Sequence, residues 1–120
     1  MFKEDYIPHV KREDVLRVVE RDFPNMHAKE IINLLDKYKV ESLDSQARIQ
    51  LAILKLSDGN IEKLKKYIEL ALVDYRDVIL PAECPEFCGF GFAGIGKVSD
   101  GEKEQIKKND WEQYKKWLNR

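Results

Sequence analysis

The sequence predicts an all-α fold of about five helices, in which the third and fourth helices form a central antiparallel hairpin. Three observations lead to this fold class. Apolar residues recur every three to four positions along most of the chain, which is the period of an α-helix. No run of strictly alternating apolar and polar residues is longer than four, so we expect almost no sheet. Proline, glycine and asparagine separate the periodic segments at lengths typical of helices.

The first two helices are predicted over residues 11–23 and from about residue 26 to Val40. Pro24 ends the first helix because proline has no N–H to donate to a helical carbonyl. Asn25 follows it, and its side chain can accept a first-turn N–H of the second helix. The apolar stripes comprise Val15, Leu16, Val19 and Phe23 on the first helix, and Ala28, Ile31, Ile32, Leu35 and Tyr38 on the second. Each stripe predicts the face that packs into the core.

The third helix is predicted to end at Ser57 and to lie centrally, because its apolar residues occupy two sides and leave a narrow polar face. Gly59 can adopt the positive φ with which helices commonly end, and Asn60 can cap a fourth helix. That helix is predicted over residues 61–80 and is stopped by Pro81. Its apolar stripe comprises Ile61, Leu64, Ile68, Ala71, Leu72, Tyr75 and Ile79. The short turn between the two helices predicts the hairpin.

Residues 82–99 are predicted to form a loop, since they hold four of the six glycines and follow a proline. This loop also contains Phe87, Phe90 and Phe92, which makes it unusually aromatic. Ser99 has a glutamate three residues later, which is the spacing of a capping box. We therefore expect a fifth helix from Ser99 to the end of the sequence.

The composition indicates one domain over residues 1–120 and argues against two classes of partner. A chain of 120 residues is long enough to bury its own core. Its 21 basic and 22 acidic side chains leave a net charge of -1, which gives no electrostatic attraction for nucleic acid. The longest apolar run is four residues, far short of the roughly 20 that cross a bilayer, and the first residues lack the apolar segment of a signal peptide. We expect a cytoplasmic protein with no nucleic-acid or membrane partner.

One stretch resembles half of a tetratricopeptide repeat. Residues 56–64, Leu-Ser-Asp-Gly-Asn-Ile-Glu-Lys-Leu, continue into residues 67–72 in the pattern of the turn and second helix of that repeat. Stepping back by the period of about 34 residues reaches residues 27–30, which do not reproduce the pattern. The resemblance implies a helical hairpin and not a peptide-binding array of repeats.

Three other stretches are similar to a group of small, uncharacterised bacterial helical proteins. They are residues 51–56, residues 74–78, and residues 110–114 together with Trp117 and Leu118. The likeness spans about residues 41–118. It implies a bacterial all-helical domain and carries no catalytic residue across.

The glycines satisfy two phosphate-binding patterns in part. Residues 89–94 match G-x-G-x-x-G. Gly91, Gly96 and Lys97 have the spacing of G-x-x-x-x-G-K, but Val98 stands where that pattern requires Ser or Thr. Both patterns also need a preceding strand, and here a helical segment precedes them. The segment is therefore predicted not to hold a nucleotide, with an anion site left open.

Cys84 and Cys88 are predicted to be free thiols, because a reducing compartment disfavours a disulfide. With His9 and His27 they could supply four zinc ligands, but histidines 18 residues apart lack the paired spacing of structural zinc sites. A nucleophilic role for either thiol would need a nearby base and a lowered thiol pKa. We predict no metal and no cofactor.

Because no catalytic pattern stands in its required context, the sequence predicts a non-enzymatic interaction protein of the adaptor or toxin-neutralising type. Aromatic side chains are the usual anchors at interface centres, so the predicted partner-binding residues are Phe87, Phe90, Phe92, Trp111 and Trp117. The partner would be another protein or a second copy of this chain. Whether the phenylalanines fold back onto the core or stay exposed is left open.

The alternative is a small-ligand, anion or metal site, or an enzyme, between the fourth helix and the glycine-rich loop. Asp74 and Asp77 are three residues apart on a predicted helix, so their carboxylates could hold a cation or act in acid–base catalysis. Glu83, Cys84 and Lys97 would complete this site. The competing interpretation is that these carboxylates pair with basic side chains nearby or on neighbouring helices.

Overall fold

The computed structural model describes residues 8–24, 28–37 and 43–120, and over these ranges the chain is all-helical. The helices in these ranges are α1 Arg12–Asp22, α2 Ala28–Leu35, α3 Leu43–Ser57, α4 Ile61–Val73, α5 Arg76–Glu83, α6 Pro85–Ile95 and α7 Asp100–Leu118. No strand occurs in the described ranges. The predicted fold class is confirmed, whereas the predicted number of about five helices is wrong, because the predicted fourth helix is divided into α4 and α5 and the predicted loop contains α6.

Helix α3 lies at the centre of the fold. It packs against α4, α5 and α1, and four consecutive residues, Leu51 to Leu54, are fully buried. A helix buried on several sides needs apolar residues all round, which is why its sequence shows two stripes. The predicted hairpin is matched in part: α3 does pack on α4, but its contact with α5 is nearly as extensive.

The turn between α3 and α4 follows the sequence prediction. Asp58 and Gly59 both have positive φ, 48° and 73°, and the Asn60 side chain accepts a hydrogen bond from the Lys63 N–H at 3.0 Å. A Cβ atom on Gly59 would lie 2.9 Å from the carbonyl oxygen of Asp22. Glycine is therefore required here both by the backbone conformation and by the close approach of α1.

The single helix predicted over residues 61–80 is interrupted, and that prediction is wrong. Asp74 is extended, with φ -154° and ψ 108°, and its carboxylate accepts the Arg76 N–H at 3.0 Å. A short acidic side chain that bonds its own backbone offers an alternative to the helical hydrogen bonds, so α4 ends at Val73 and α5 begins at Arg76. Pro81 lies inside α5 instead of ending the helix before it.

The loop predicted over residues 82–99 is also wrong, because α6 occupies Pro85–Ile95. Pro85 is the first residue of the helix, where its missing N–H breaks no intrahelical bond. The carboxylate of Asp110 on α7 accepts the N–H groups of Glu86 at 2.9 Å and Phe87 at 3.1 Å. This cap comes from a residue more than 20 positions away, so the local sequence did not indicate that a helix starts here.

Two other helix boundaries agree with the sequence. Helix α1 ends at Asp22, just before Pro24, and the Ser99 hydroxyl accepts the Glu102 N–H at 3.3 Å at the start of α7. The predicted cap at Asn25 and the predicted end of the second helix near Val40 lie outside the described residues.

Candidate interaction surface on helix α6

Helix α6 is apolar all round and yet lies at the surface. Its eleven residues include one charged side chain, Glu86. A helix of this composition is normally buried in a core. Burial is described for residues 85–90 and for Gly94, and none of these is buried. Helix α6 is therefore an apolar element that the described part of the chain leaves largely uncovered.

The main contacts of α6 in the described part of the chain are with two helices. It packs on α7 and, to a smaller extent, on α5. Phe87 and Gly94, seven residues apart and so on one face, are half-buried, whereas Glu86, Gly89 and Phe90 are exposed. A Cβ atom on Gly89 would meet no atom within 4 Å. The packing within the chain thus leaves open the face that carries Gly89.

The predicted phenylalanine anchors have different positions. Phe90 is 43% exposed, and Phe87 is half-buried. The side chain of Phe92 lies outside what the structure describes. Of the two phenylalanines whose side chains are described, Phe90 is the one available as an anchor.

The two predicted tryptophan anchors differ in burial. Trp117 is 9% exposed, and the Arg21 guanidinium lies 5.1 Å above its ring. Trp111 is half-buried and stacks on Tyr114 with ring centroids 6.4 Å apart. The structure therefore does not offer Trp117 as a surface anchor: it joins α7 to the end of α1.

A second group of exposed apolar side chains lies at the corner between α4 and α5. Leu72, Val73 and Tyr75 are exposed, and so is Leu80 on α5. The sequence analysis missed these residues because an unbroken helix placed Leu72 and Tyr75 on the buried stripe. Asp74 in the middle of the group was the signal that could have revealed the break.

The residues of the predicted alternative ligand site have different surroundings. The Asp74 carboxylate pairs with the guanidinium of Arg76 at 2.9 Å, which lowers the Asp74 pKa, mainly through their side-chain hydrogen bond. Asp77 is exposed on α5, and Lys97 is exposed in the turn after α6. The pairing of Asp74 with a nearby arginine is one that the sequence analysis offered as the competing interpretation.

Glu83 is fully engaged inside the fold. It is 7% exposed, and its two oxygens accept hydrogen bonds from Nε and Nη2 of Arg48 at 2.8 and 2.6 Å. This two-point contact raises the pKa of the Arg48 guanidinium. The Glu83 carboxylate thus joins α3 to α5 and has no oxygen left over for a ligand.

Both thiols have a raised pKa. Burial raises the pKa of the Cys84 thiol to about 12, and the carboxylates of Asp110 and Glu83 add to the shift. Burial also raises the pKa of Cys88, although its side chain is exposed. A thiol reacts as its thiolate, so this environment opposes covalent catalysis. Within the described ranges, no group of three or more His, Cys, Asp or Glu side chains could hold a metal ion.

A groove of about 480 Å³ lies elsewhere, between the ends of α1, α2 and α3. Arg12 in this groove donates to both oxygens of Asp36, at 2.8 and 2.9 Å, and to Gln50 at 3.0 Å. The side-chain amide of Gln50 in turn donates to the Leu35 carbonyl at 3.1 Å. The Arg12 guanidinium in the groove is therefore already paired with a carboxylate, and the hydrogen-bond network links α1, α2 and α3.

Helix α6 is too short to span a bilayer, since eleven residues extend about 16 Å. More generally, none of the described helices is long and apolar enough to cross a membrane.

Comparison of the chain with protein-family models, with curated proteins and with solved structures finds no match in any of the three. The two resemblances noted in the sequence therefore stay predictions.

Proposed function

We propose that this chain is a non-enzymatic interaction protein and that the open face of α6 is its contact surface for another protein chain. The observation that carries the proposal is the mismatch between the composition of α6 and its burial. An apolar helix exposed to water loses the free energy that burial would provide, roughly 25 cal/mol per Å² of apolar surface. A protein partner that covers the helix would recover it.

The aromatic content of the helix supports the same proposal. Phe90 is large, apolar and exposed, and it lies beside Gly89, over which there is open space. A large side chain next to a space provides the shape that a partner surface can interlock with. Adaptors and toxin-neutralising proteins act through surfaces of this kind, and either role fits the proposal.

The state of the polar residues favours binding over catalysis. Glu83 is held by Arg48, Asp74 by Arg76, and Cys84 is held as a neutral thiol. Groups that act in acid–base or nucleophilic catalysis need a free lone pair at working pH. These candidates from the sequence have structural partners or the wrong protonation state.

A photo-crosslinking amino acid at position 90 tests the proposal in cells that produce the protein. We expect a covalent adduct with a protein, whether another chain or a second copy. The matched control places the same group at Leu16, which is 37% exposed on α1, away from α6. No adduct at position 90, or the same adducts at both positions, would contradict the proposal.

A thermal-stability screen separates this proposal from the ligand-binding alternative. Nucleotides, sugar phosphates and divalent metals are added in excess, and a ligand at 100 times its dissociation constant stabilises by about 2.7 kcal/mol. We expect no shift of the melting temperature. A clear shift that Asp77→Asn or Lys97→Ala abolishes would favour the alternative.

A further inference from the structure

We propose that the partner of α6 is a second copy of the same chain, and that two α6 helices pair antiparallel about a twofold axis between residues 91 and 92. The inference rests on the proposed function, because it names the occupant of the same surface. Four features carry it: the open face, the charges at its two ends, the order of large and small residues, and the spacing of these residues around the helix.

The charges at the two ends of α6 complement each other in this arrangement. Glu86 lies in the first turn of the helix, and Lys97 lies in the turn that follows it. Both are exposed, and neither forms an ion pair with another described residue. The proposed axis is equidistant from the two positions, so Glu86 of each copy faces Lys97 of the other. A twofold pairing therefore satisfies both charges twice.

The same register places a large residue opposite a small one. Phe90 of one copy comes opposite position 93 of the other, which carries alanine. Helices pack by inserting the side chains of one into the spaces of the other. Because the axis relates positions 90 and 93, this pair of one large and one small residue occurs twice in the contact.

The spacing also brings the relevant residues to one face. Positions 86, 90 and 93 follow one another by four and three residues, which is the repeat of a single stripe on an α-helix, and Lys97 lies four positions further on in the turn after the helix. Glu86 and Phe90 on this stripe, and Lys97 beyond it, are all exposed. The contact proposed between copies thus uses a face that the chain itself leaves open.

A lipid surface is the competing occupant, and it accounts for fewer of these features. Lipid would accept the apolar side chains of α6, but it requires neither a small residue opposite Phe90 nor opposite charges at the two ends. Anionic headgroups would also repel Glu86 and the exposed acidic side chains of Asp100 and Glu102. The second copy explains the order of the residues as well as their polarity.

Sedimentation equilibrium of the full chain over a hundredfold range of concentration tests the proposal. We expect a reversible dimer, since a contact built on one short helix is small. In Glu86→Lys, the introduced side chain of each copy lies opposite Lys97 of the other at both ends of the pair. This repulsion should raise the dissociation constant about tenfold or more. Lys97→Glu should do the same, and the double variant E86K/K97E should restore the wild-type dissociation constant.

A second pair of variants tests the apolar part of the contact. Phe90→Asp should fold, because the Phe90 side chain is 43% exposed, yet it would place a charge at the centre of the contact and abolish the dimer. Leu72→Asp on α4 is the control, because Leu72 is 51% exposed and lies on a different helix. It should leave the dimer unchanged, and circular dichroism checks that both variants keep their helical content.

The outcomes separate this inference from the proposed function. A monomer at every concentration overturns the inference, and so does a dimer that neither the charge variants nor Phe90→Asp weakens. If the chain is monomeric but position 90 crosslinks to a different protein, the inference fails and the proposed function stands. Co-sedimentation with phosphatidylcholine–phosphatidylglycerol vesicles, lost in Phe90→Asp, would replace the second copy by a lipid surface. Restoration in E86K/K97E supports the inference.

Discussion

Helices α3 and α6 are both apolar on more than one side, but α3 is buried by its neighbours and α6 lies at the surface. Helix α3 has neighbours in α1, α4 and α5, and its residues Leu51 to Leu54 are fully buried. Helix α6 has α7 and α5 beside it, and none of its residues with described burial is buried. Composition therefore indicates that a helix needs to be covered, and the topology decides whether its own chain covers it.

The two helices should also differ in stability. Helix α3 contains no glycine, whereas α6 has three, and each glycine inside a helix costs about 1 kcal/mol relative to alanine. Helix α6 also depends on a cap from α7 at its first turn. We therefore expect changes in α3 to unfold the whole domain and changes in α6 to act locally.

The largest effect is expected from truncating the core of α3. Leu54→Ala removes a fully buried side chain and should lower the free energy of unfolding by about 3 kcal/mol. Phe90→Ala on α6 should lower it by less than about 1 kcal/mol, because its side chain is already 43% exposed. Urea denaturation measures both, with Leu72→Ala, 51% exposed on α4, as a control of the same chemistry. A Phe90→Ala effect as large as that of Leu54→Ala would mean that α6 is part of the core.

The next effect is expected where α3 holds a buried carboxylate. Arg48→Ala leaves Glu83 without its partner at 7% exposure, and we expect a loss of about 3 kcal/mol of stability. The double variant Arg48→Met with Glu83→Leu removes both charges and should recover most of the loss. Calorimetric unfolding measures the three proteins. If the double variant is no more stable than Arg48→Ala, the Arg48–Glu83 ion pair stabilises the fold by more than offsetting the cost of burying the Glu83 carboxylate.

A smaller and more local effect is expected from the cap of α6. In Asp110→Asn the amide oxygen can accept one of the two N–H groups, and the loss should be about 1 to 2 kcal/mol. Hydrogen exchange should show faster exchange for the amides of Glu86 and Phe87, while α3 stays protected. Asp100→Asn, exposed at the start of α7, is the control. Equal acceleration in α3 would show that α6 and the core unfold together.

The features that sequence reasoning predicted correctly depend on nearby residues. The end of α1 before Pro24, the turn at Gly59 and the caps at Asn60 and Ser99 are each determined within four positions of the residue concerned. The buried centre of α3 was also predictable, because two apolar stripes leave little surface for water.

The features that it missed depend on contacts distant in the sequence or on a local competition. Helix α6 starts because Asp110 supplies the cap from α7, and nothing in residues 82–99 encodes that contact. The break at Asp74 depends on a side chain that bonds to its own backbone in place of the helical pattern. Among the predicted anchors, Phe90 was predicted from its residue type and is exposed, but the burial of Trp117 required knowing that α7 returns to Arg21 on α1.

The smallest effect is expected in the reactivity of two thiols, Cys84 directly before α6 and Cys88 within it. With a pKa of about 12, roughly one Cys84 side chain in ten thousand is a thiolate at pH 8. In Cys88→Ser, alkylation of Cys84 by iodoacetamide should therefore be slow and should accelerate about tenfold for each pH unit while the fold is intact. In Cys84→Ser, the exposed Cys88 should react faster at the same pH. Mass spectrometry follows both reactions, with urea-unfolded protein as the reference for unhindered thiols.

If Cys84 in the folded protein reacts as fast as in urea, the junction of α5 and α6 opens readily. The α6 surface would then be a mobile segment and not a fixed apolar face.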